Sequence, residues 1–548
     1  MQRLRWLVFA SLLALTLASC SKIQTSVGGL NAGGNPWTVH GILRVGSYED
    51  LDSLNPLLSS QSFVTDVDQM VYSGLIDYDD RANAIPDVAL QVPTLENHGI
   101  SADGLTVTYH LRRGVLFSDG AALTSADVKY TWQQIMNPNN NLPFRYPYDV
   151  VASIDTPDAF TVVVHLKHPL ASFIGNFMRN GNVGSILPEH LLRSYADLNR
   201  IAFNTHPVGS GPFIVKRWEP GVLLDLIPNP RYWRGPPRLH EIRYQIIPSQ
   251  NTLLTSVRGH DVDLYYDAPE VQYSTLKSLA GIRVTAVPNM TFEHVDFNCR
   301  RYPLSDVRIR QAIAYAIDWR KLANDVYFGL DLPGMADIPP LSWAYDQSVQ
   351  PYPHDPAKAR ALLASAGWTP GAGGALQRAG QPLQLGIATV SGVTSRAKAE
   401  ELMQQDLRAV GIGLEIHNYP ADILFATYGN NGVLARGRFD LALFAWEYTV
   451  PDPDNTLTIG PDQLPPFGEN YTFFADRDIG VWQKAAQYYY RREQRRPYYV
   501  KIQRRIHDAL PIHTIVWRSN IDAVNTDLKN FKPAPAVSDF WNSYEWQI

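Results

Sequence analysis

The stretch from residue 383 to residue 446 constrains the fold more than any other part of the chain. It contains three short apolar runs, Leu383 to Val390, Gly413 to His417 and Phe439 to Trp446, and a helical pattern from Ser395 to Val410 separates the first two. Two strands joined by such a helix run parallel in one sheet. The pattern therefore predicts an α/β lobe from about residue 290 to about residue 510.

The segment after the third apolar run is predicted to line a ligand cleft. The run from Phe439 to Trp446 is nearly continuous in apolar residues, which is typical of a strand covered on both faces. Glu447 to Asn455 then follows the carboxyl end of that strand. In open α/β sheets, ligands bind at this edge.

Two other interpretations of this segment are weaker. Asp452 and Asp454 could form an acid/base pair, but prolines stiffen the segment and no nucleophile stands nearby. A calcium loop fails because Thr456 and Leu457 occupy positions that need a third ligand and a glycine. We therefore predict no metal at this segment.

The length of 548 residues exceeds what one hydrophobic core supports and indicates roughly three or four domains with a cleft between them. The composition, 45% hydrophobic and 18% charged, is typical of a soluble globular protein. The net charge is −5 and no long basic block is present, so nucleic acid is not a predicted partner. The arginines from Arg491 to Arg496 are interpreted as a solvated helix face.

The N-terminus has the features of a signal peptide. Arg3 and Arg5 precede an apolar run from Leu7 to Leu17, which is too short to span a bilayer. The next residues, Leu17-Ala18-Ser19-Cys20, resemble a lipobox, in which the cysteine becomes the lipid-bearing N-terminus after cleavage. A signal peptide with an incidental cysteine is the alternative. Residues 21–35 are expected to form a flexible tether.

Cys299 is the only other cysteine, so the mature chain with an acylated Cys20 has no pair of thiols for an internal disulfide. It stands in no nucleophile signature and is interpreted as a small buried hydrophobic residue.

The catalytic motifs of hydrolases and ATPases are missing from the sequence. There is no Gly-x-Ser-x-Gly, no His-Glu-x-x-His and no Gly-Lys dipeptide for a phosphate loop. Ser-x-x-Lys occurs twice, but without the companion motifs of penicillin-binding enzymes. No catalytic residue, metal or cofactor is predicted, and a secreted hydrolase or transpeptidase remains the alternative from another functional class.

The first half of the chain contains a strand and a helix with clear signals. Leu105 to Leu111 alternates apolar and polar residues after an Asp103-Gly104 turn. Thr124 and Asp127 then form a capping-box pattern that predicts a helix through Met136.

Several segments are similar to one family, the extracytoplasmic solute-binding proteins of peptide/nickel-type ABC importers. The longest is SADGLTVTYHLRRGVLFSDG at residues 101–120, followed by LTSADV at 123–128. The other matching segments, in chain order, are VYSGL at 71–75, PVGSGPF at 207–213, NPRYW at 229–233 and FN at 297–298 leading to DVRIRQAI at 306–313. The resemblance covers residues 42 to 540.

The resemblance implies an α/β, two-lobed fold of the type II periplasmic-binding-protein kind, with mixed sheets flanked by helices and one extra inserted domain. The expected boundaries are a signal peptide at 1–19, a lipidated cysteine and tether at 20–40, a discontinuous first domain at 41–88, 206–287 and 513–548, an inserted second domain at 89–205, and a third domain at 288–512. The first two domains form lobe 1 and the third forms lobe 2.

The family resemblance also implies the partners. The ligand is a peptide or a related small solute, which closure of the two lobes buries. The closed form is recognised by the membrane subunits of a permease with separate ATPase subunits. The chain is expected to be a monomer, exported and lipid-anchored, facing the periplasm or the cell exterior, with the membrane leaflet left open. A binding module that serves sensing or chaperone roles is a further alternative.

The expected ligand contacts come from both lobes. The set is Trp446, Glu447, Tyr448, Thr449 and Asp452 after the apolar strand, Glu293 and His294 before Phe297-Asn298, and Tyr48 and Glu49 after the first strand. Peptide-binding members carry an aspartate three residues after this tryptophan, which pairs with the peptide ammonium. Thr449 stands there, so the resemblance does not imply ammonium recognition in the usual way, and Glu447 is the alternative carboxylate.

Overall fold

The computed structural model describes residues 34–548, with gaps at residues 60, 143–144, 335, 427, 449–451 and 537. The predicted signal peptide, the Cys20 lipidation site and most of the tether, as well as Thr449, lie outside the described residues. Residues 37–548 form one compact unit.

The strands are numbered in chain order. They are β1 (Ile42–Ser47), β2 (Ile76–Tyr78), β3 (Ala84–Pro86), β4 (Thr106–His110), β5 (Val151–Asp158), β6 (Thr161–Leu166), β7 (Phe213–Glu219), β8 (Leu223–Pro228), β9 (Glu241–Ile246), β10 (Leu264–Tyr265), β11 (Ile282–Phe297), β12 (Leu332–Pro333), β13 (Thr369–Pro370), β14 (Leu376–Arg378), β15 (Gln381–Pro382), β16 (Gln384–Val390), β17 (Gly413–Tyr419), β18 (Leu441–Glu447) and β19 (Ile512–Asn525).

The α-helices are numbered in the same way. They are α1 (Ser62–Val71), α2 (Ser125–Met136), α3 (Phe173–Asn176), α4 (Glu189–Leu192), α5 (Gln250–Arg258), α6 (Tyr273–Lys277), α7 (Val307–Ala316), α8 (Trp319–Tyr327), α9 (Pro356–Ser365), α10 (Thr394–Ala409), α11 (Ala421–Leu424), α12 (Thr456–Ile459), α13 (Arg477–Tyr488) and α14 (Arg492–Ala509).

The main sheet is mixed. Its strand order is β17-β16-β18-β11-β19-β10-β1-β9-β8-β7, and β12 pairs with β19. The β16-α10-β17 unit is parallel, as the alternation of apolar runs and helix predicts, and β18 lies parallel to the other side of β16. Both predicted features of this lobe, the crossover unit and the buried third strand, are therefore confirmed.

The long strands β11 and β19 connect the two halves of the main sheet. Residues 282–288 of β11 pair with residues 519–525 of β19, beside the half that contains β10 and β1. Residues 291–297 of β11 pair with β18 in the other half. The pairing between β11 and β19 shifts register between Pro288 and Phe292, so the ladder is interrupted where the two halves meet.

The hydrophobic cores are divided in the same way. One cluster takes its residues from the range 43–264 and from the C-terminal residues 524–548. A second takes its residues from the range 295–516 and packs around β16, α10 and β18. Cys299 is half-buried at the margin of this second cluster, and burial raises the pKa of its thiol to about 12.

Local signals in the sequence explain several element boundaries. Thr124 and Asp127 form the expected capping box at the start of α2. Asp355 caps α9, with Pro356 in the first turn, and Gly367 follows the helix with a φ of +86°. The alternating segment at 105–111 forms β4, where Val107 and Tyr109 are buried, in a small sheet of order β4-β6-β5.

Candidate ligand-binding site

A cavity of about 340 Å³ lies where the two halves of the main sheet meet. Its lining comes from the carboxyl ends of β1, β10 and β18, from α1, from the register break in β11, and from the C-terminal residues 534–539. All three expected domains contribute residues to it: the first through its segments 41–88, 206–287 and 513–548, the second through 89–205 and the third through 288–512. The cavity is thus bounded by segments that are far apart in sequence.

One side of the cavity, here called the acidic wall, consists of Tyr48, Glu49, Asp66, Asp267 and Asp539. The Tyr48 hydroxyl donates a hydrogen bond to Asp267 Oδ2 at 2.7 Å. Asp267 follows β10 and has a left-handed backbone, with a φ of 50°. Burial, and then the charge of Asp267, raises the pKa values of Tyr48 and Glu49.

The two deeper carboxyl groups of the acidic wall are also perturbed. Burial raises the pKa of Asp66 well above its usual value, against a hydrogen bond from Ser538 and with the support of Asp539. Burial raises the pKa of Asp539 to about 7, although the backbone N–H of Ala534 donates to it at 2.8 Å. Ionised carboxylates are unfavourable here because water is largely excluded and like charges are close.

A second group of lining residues, here called the strand wall, consists of Met290, Thr291, Glu447 and Tyr448. Glu447 is the last residue of β18, and the backbone N–H of Tyr448 donates to the Met290 carbonyl oxygen at 3.0 Å. Burial raises the pKa of Glu447, the charge of Arg179 opposes this rise, and the charge of Asp267 adds to it. The Tyr448 ring stacks on Phe292 with centroids 5.9 Å apart.

Two arginines and two side-chain amides also line the cavity. Arg518 donates to Glu270 Oε1 at 2.9 Å. Burial disfavours its charge, but Glu270, Glu293 and Asp267 raise its pKa overall. Asn289, inside the register break, donates to Asn520 Oδ1 at 2.7 Å.

Arg179 differs from Arg518 in its partners. It is only 8% exposed and donates to the Asn180 carbonyl oxygen at 3.3 Å. Among the described residues it has no carboxylate within 4.0 Å. Much of its hydrogen-bonding capacity therefore remains available at the cavity.

The lining is acidic on balance, with five carboxyl groups against two guanidinium groups. In the part of the chain that the structure describes, no three histidine, cysteine, aspartate or glutamate residues are grouped so that they could hold a metal ion. No helix among the described residues is long and apolar enough to cross a membrane.

Four of the residues predicted from the sequence line the cavity: Tyr48, Glu49, Glu447 and Tyr448. Their contact with a ligand stays a prediction. The sequence reasoning missed Asp66, Arg179, Asp267, Asn289, Arg518, Asn520 and Asp539. The sequence could have indicated Asp267. It follows the carboxyl end of β10, just as Glu447 ends β18, and ligands bind at the carboxyl ends of strands in such sheets.

Three other predicted residues are placed outside the cavity lining. Glu293 is 3% exposed and accepts two hydrogen bonds from Arg396, each 3.1 Å long. His294 is fully buried against Phe444, and burial lowers its pKa to about 3. Trp446 is half-buried and stacks on Tyr471 at 5.9 Å. None of the three belongs to the lining of this cavity, and their contact with a ligand stays a prediction.

Asp452 also has a structural partner. Arg495 donates to its two oxygens at 2.6 and 2.7 Å, and the two side chains are 13% and 4% exposed. The interpretation of residues 491–496 as a solvated helix face is therefore wrong for Arg495, although Arg491 forms an exposed pair with Glu96. Burial lowers the pKa of the Arg495 guanidinium, but the charge of Asp452 raises it by more, so the pKa is raised overall.

Comparison with known protein families places this geometry in context. Residues 85–460 match the family model described as bacterial extracellular solute-binding proteins, family 5 Middle. The chain belongs to family 5 of the bacterial extracellular solute-binding proteins. The cavity between the two halves of the sheet is accordingly the candidate solute site of this family 5 protein.

Relatives and solved structures agree with the family assignment. The family 5 protein is 26% identical to the oligopeptide-binding protein AppA of Bacillus subtilis (strain 168), over 98% of this chain and 97% of that one. It is 28% identical to di/tripeptide-binding protein 2 of Pseudomonas aeruginosa (strain UCBPP-PA14), over 84% and 88% of the two chains.

The solved structure of Bacillus subtilis AppA in complex with a nonapeptide matches with a TM-score of 0.76 and 25% identity, over 92% of this chain and 98% of that one. NikZ of Campylobacter jejuni in complex with Ni(L-His) matches with a TM-score of 0.77 and 22% identity, over 93% of this chain and all of that one. The expected two-lobed α/β fold of the type II periplasmic-binding-protein kind is confirmed.

Proposed function

We propose that this solute-binding protein is the substrate-binding component of an ABC importer, and that it captures a peptide or a related small solute in the cavity between its lobes. The single observation that carries the proposal is the polar cavity at the break between β11 and β19, with walls from both halves of the sheet. Family membership supports solute binding, and the named relatives bind peptides.

The cavity suits binding that is coupled to closure. A ligand would contact the acidic wall and the strand wall at the same time. It would therefore favour the closed state, in which both walls are within its reach. To change a closed population of ~1% to ~99%, a ligand must favour the closed state by ~5.5 kcal/mol. Two to four charge-assisted hydrogen bonds at ~1.5 to 3 kcal/mol each supply this difference. The proposed moving body is the third domain, 288–512.

The test is mass spectrometry of small molecules that co-purify with the chain from residue 21 onward. We expect a solute that is released on unfolding and rebinds to the refolded protein. The recovered solute is then incubated with fresh protein. Chemical turnover of that solute would contradict a binding role and favour the hydrolase alternative, whereas unchanged recovery supports it.

Membrane attachment is proposed through a lipid on Cys20, as the lipobox resemblance of residues 17–20 suggests. The variant Cys20→Ser should move the protein from the membrane fraction to the soluble fraction. Intact-mass measurement of the wild type should show the added lipid. An unmodified N-terminus with unchanged fractionation would refute the anchor and leave the solute-binding proposal in place.

A further inference from the structure

The acidic wall has more hydrogen-bond acceptor capacity than the described residues satisfy. Among the described residues, neither oxygen of the Glu49 side chain accepts a hydrogen bond, and Asp267 receives one side-chain bond, from Tyr48. The same is true of the strand wall, where the Glu447 carboxylate has no hydrogen-bond donor among the described residues. These groups face the cavity with free acceptor capacity.

Carboxyl groups of the cavity also repel one another. Burial raises the pKa values of Glu49 and Glu447, and in both cases the charge of Asp267 raises them further. Asp267 therefore lies at the electrostatic centre of the cavity. A cation placed beside it would relieve repulsion with carboxyl groups on both walls at once.

A second and independent feature also indicates a ligand. Arg179 is more than nine-tenths buried and lines the cavity, and among the described residues its side chain donates one hydrogen bond, to the Asn180 carbonyl oxygen. A buried guanidinium without a carboxylate partner is costly unless an occupant of the cavity supplies an acceptor. The site is thus prepared for a ligand that carries polar groups of both signs, with the positive sign in excess.

The cavity volume limits the size of that ligand. Small-molecule pockets range from about 300 to 1,000 Å³, and this one has about 340 Å³. It therefore suits a solute of dipeptide size.

From these observations we infer that the preferred ligand is a small organic solute of net positive charge, whose side-chain ammonium or guanidinium group binds between Asp267 and Glu49 on the acidic wall. This rests on the proposed function, because it specifies the chemical class of solute that the same cavity takes. Asp267 and Glu49 are then specificity-determining residues. Neither lies on the strand that ends at Glu447.

The probes are two dipeptides of equal length, Lys-Ala and norleucyl-alanine, which differ by one ammonium group, and Glu-Ala with the opposite charge. Isothermal titration calorimetry of the full chain at neutral pH and low salt measures each affinity. We expect Lys-Ala to bind at least tenfold more tightly than norleucyl-alanine, and Glu-Ala to bind most weakly. Equal affinities, tighter binding of norleucyl-alanine, or no binding of any of the three would overturn the inference.

The variants Asp267→Asn and Glu49→Gln localise the effect. Each should reduce the preference for Lys-Ala over norleucyl-alanine at least fivefold. Asp155→Asn is the matched control, since the Asp155 side chain is 67% exposed on another domain, and it should preserve the preference. If both cavity variants keep the full preference, the cationic group binds elsewhere and the inference fails.

Failure of this inference and failure of the proposed function give different results. A neutral or acidic solute that co-purifies and rebinds would keep the importer role and reject the cationic class. Turnover of the co-purified solute would reject the importer role itself. Circular dichroism of each variant checks that a lost preference is measured on folded protein.

Discussion

The acidic residues of the cavity and those of the segment 452–454 share their chemistry and differ in their surroundings. Asp452 accepts two hydrogen bonds from Arg495, and Asp454 accepts hydrogen bonds from Tyr146, Ser172, Gln487 and Thr456. On the cavity side, Glu49 and Glu447 accept none among the described residues. The role of a carboxylate in this protein therefore depends on the donors that the fold places within its reach.

The largest effect is expected from breaking the internally bonded pair. Arg495→Ala leaves Asp452 with an uncompensated charge in a site that is 13% exposed, and should reduce the free energy of unfolding by about 3 to 5 kcal/mol. Urea denaturation followed by fluorescence measures this change. The control is Arg491→Ala in the same arginine run, whose exposed pair with Glu96 should contribute less than about 1 kcal/mol. Equal losses of unfolding free energy in the two variants would contradict the expected difference between the buried pair and the exposed pair.

The second effect concerns the cavity side and its pH dependence. The pKa of Asp539 is about 7 in the folded chain, above the value of ~3.9 for an unperturbed aspartate, so the folded state holds this proton more tightly. Its contribution to stability is complete below about pH 4 and is lost as the pH rises through about 7. Asp539→Asn should thus stabilise the ligand-free protein at pH 8 by up to about 4 kcal/mol, with little change at pH 4.

Thermal unfolding between pH 4 and pH 8 checks this expectation. Asp462→Asn provides the control, because the Asp462 side chain is 70% exposed and bonds Lys484 at the surface. If stability changes with pH in the same way in the variant and in the wild type, ionisation of Asp539 does not destabilise the folded protein.

A third effect tests whether Glu447 acts as a ligand group. Glu447→Gln removes one negative charge from the strand wall and should weaken Lys-Ala about fivefold, or about 1 kcal/mol. Norleucyl-alanine should change less than twofold in the same calorimetric titration. Equal weakening of both dipeptides would exclude Glu447 from recognition of the cationic group.

The smallest effect is expected at the contact between residues 146–172 and residue 454. Asp454→Asn removes the negative charge that accepts hydrogen bonds from the hydroxyl groups of Tyr146 and Ser172, each 3.2 Å from Asp454 Oδ2. These bonds join the expected second and third domains. Because Tyr146 is 45% exposed, we expect the free energy that favours the closed arrangement to fall by only about 0.5 to 1 kcal/mol. Small-angle X-ray scattering of the ligand-free protein should show a slightly larger radius of gyration. An unchanged radius would show that this contact does not favour the closed arrangement.

Periodic patterns predicted the scaffold better than the site. The apolar runs and the helix at 383–446 gave the crossover unit and β18, since hydrophobic periodicity reports which faces are covered. The partners of single polar residues depend on contacts between distant segments. Glu293 pairs with Arg396 and Asp452 with Arg495, at separations of 103 and 43 residues, and no local pattern specifies either pair.

The missed cavity residues have a similar explanation. Asp267 follows a strand of two residues, and Asp539 lies in a segment without regular structure, so neither is preceded by a periodic signal. Their contribution depends on the tertiary fold, which brings the C-terminal residues beside α1 and β10. A sequence taken alone indicates such residues only where they follow a strong strand.

The interruption between Pro288 and Phe292 in β11 has a mechanical consequence. A continuous ladder resists bending, whereas a break in the ladder concentrates flexion at a few residues. Asn289, Met290 and Thr291 occupy the break and also form part of the cavity surface. Under the proposed function, a solute in the cavity would therefore lie directly against the interruption of the sheet, and no relay of intervening residues would be needed between the two.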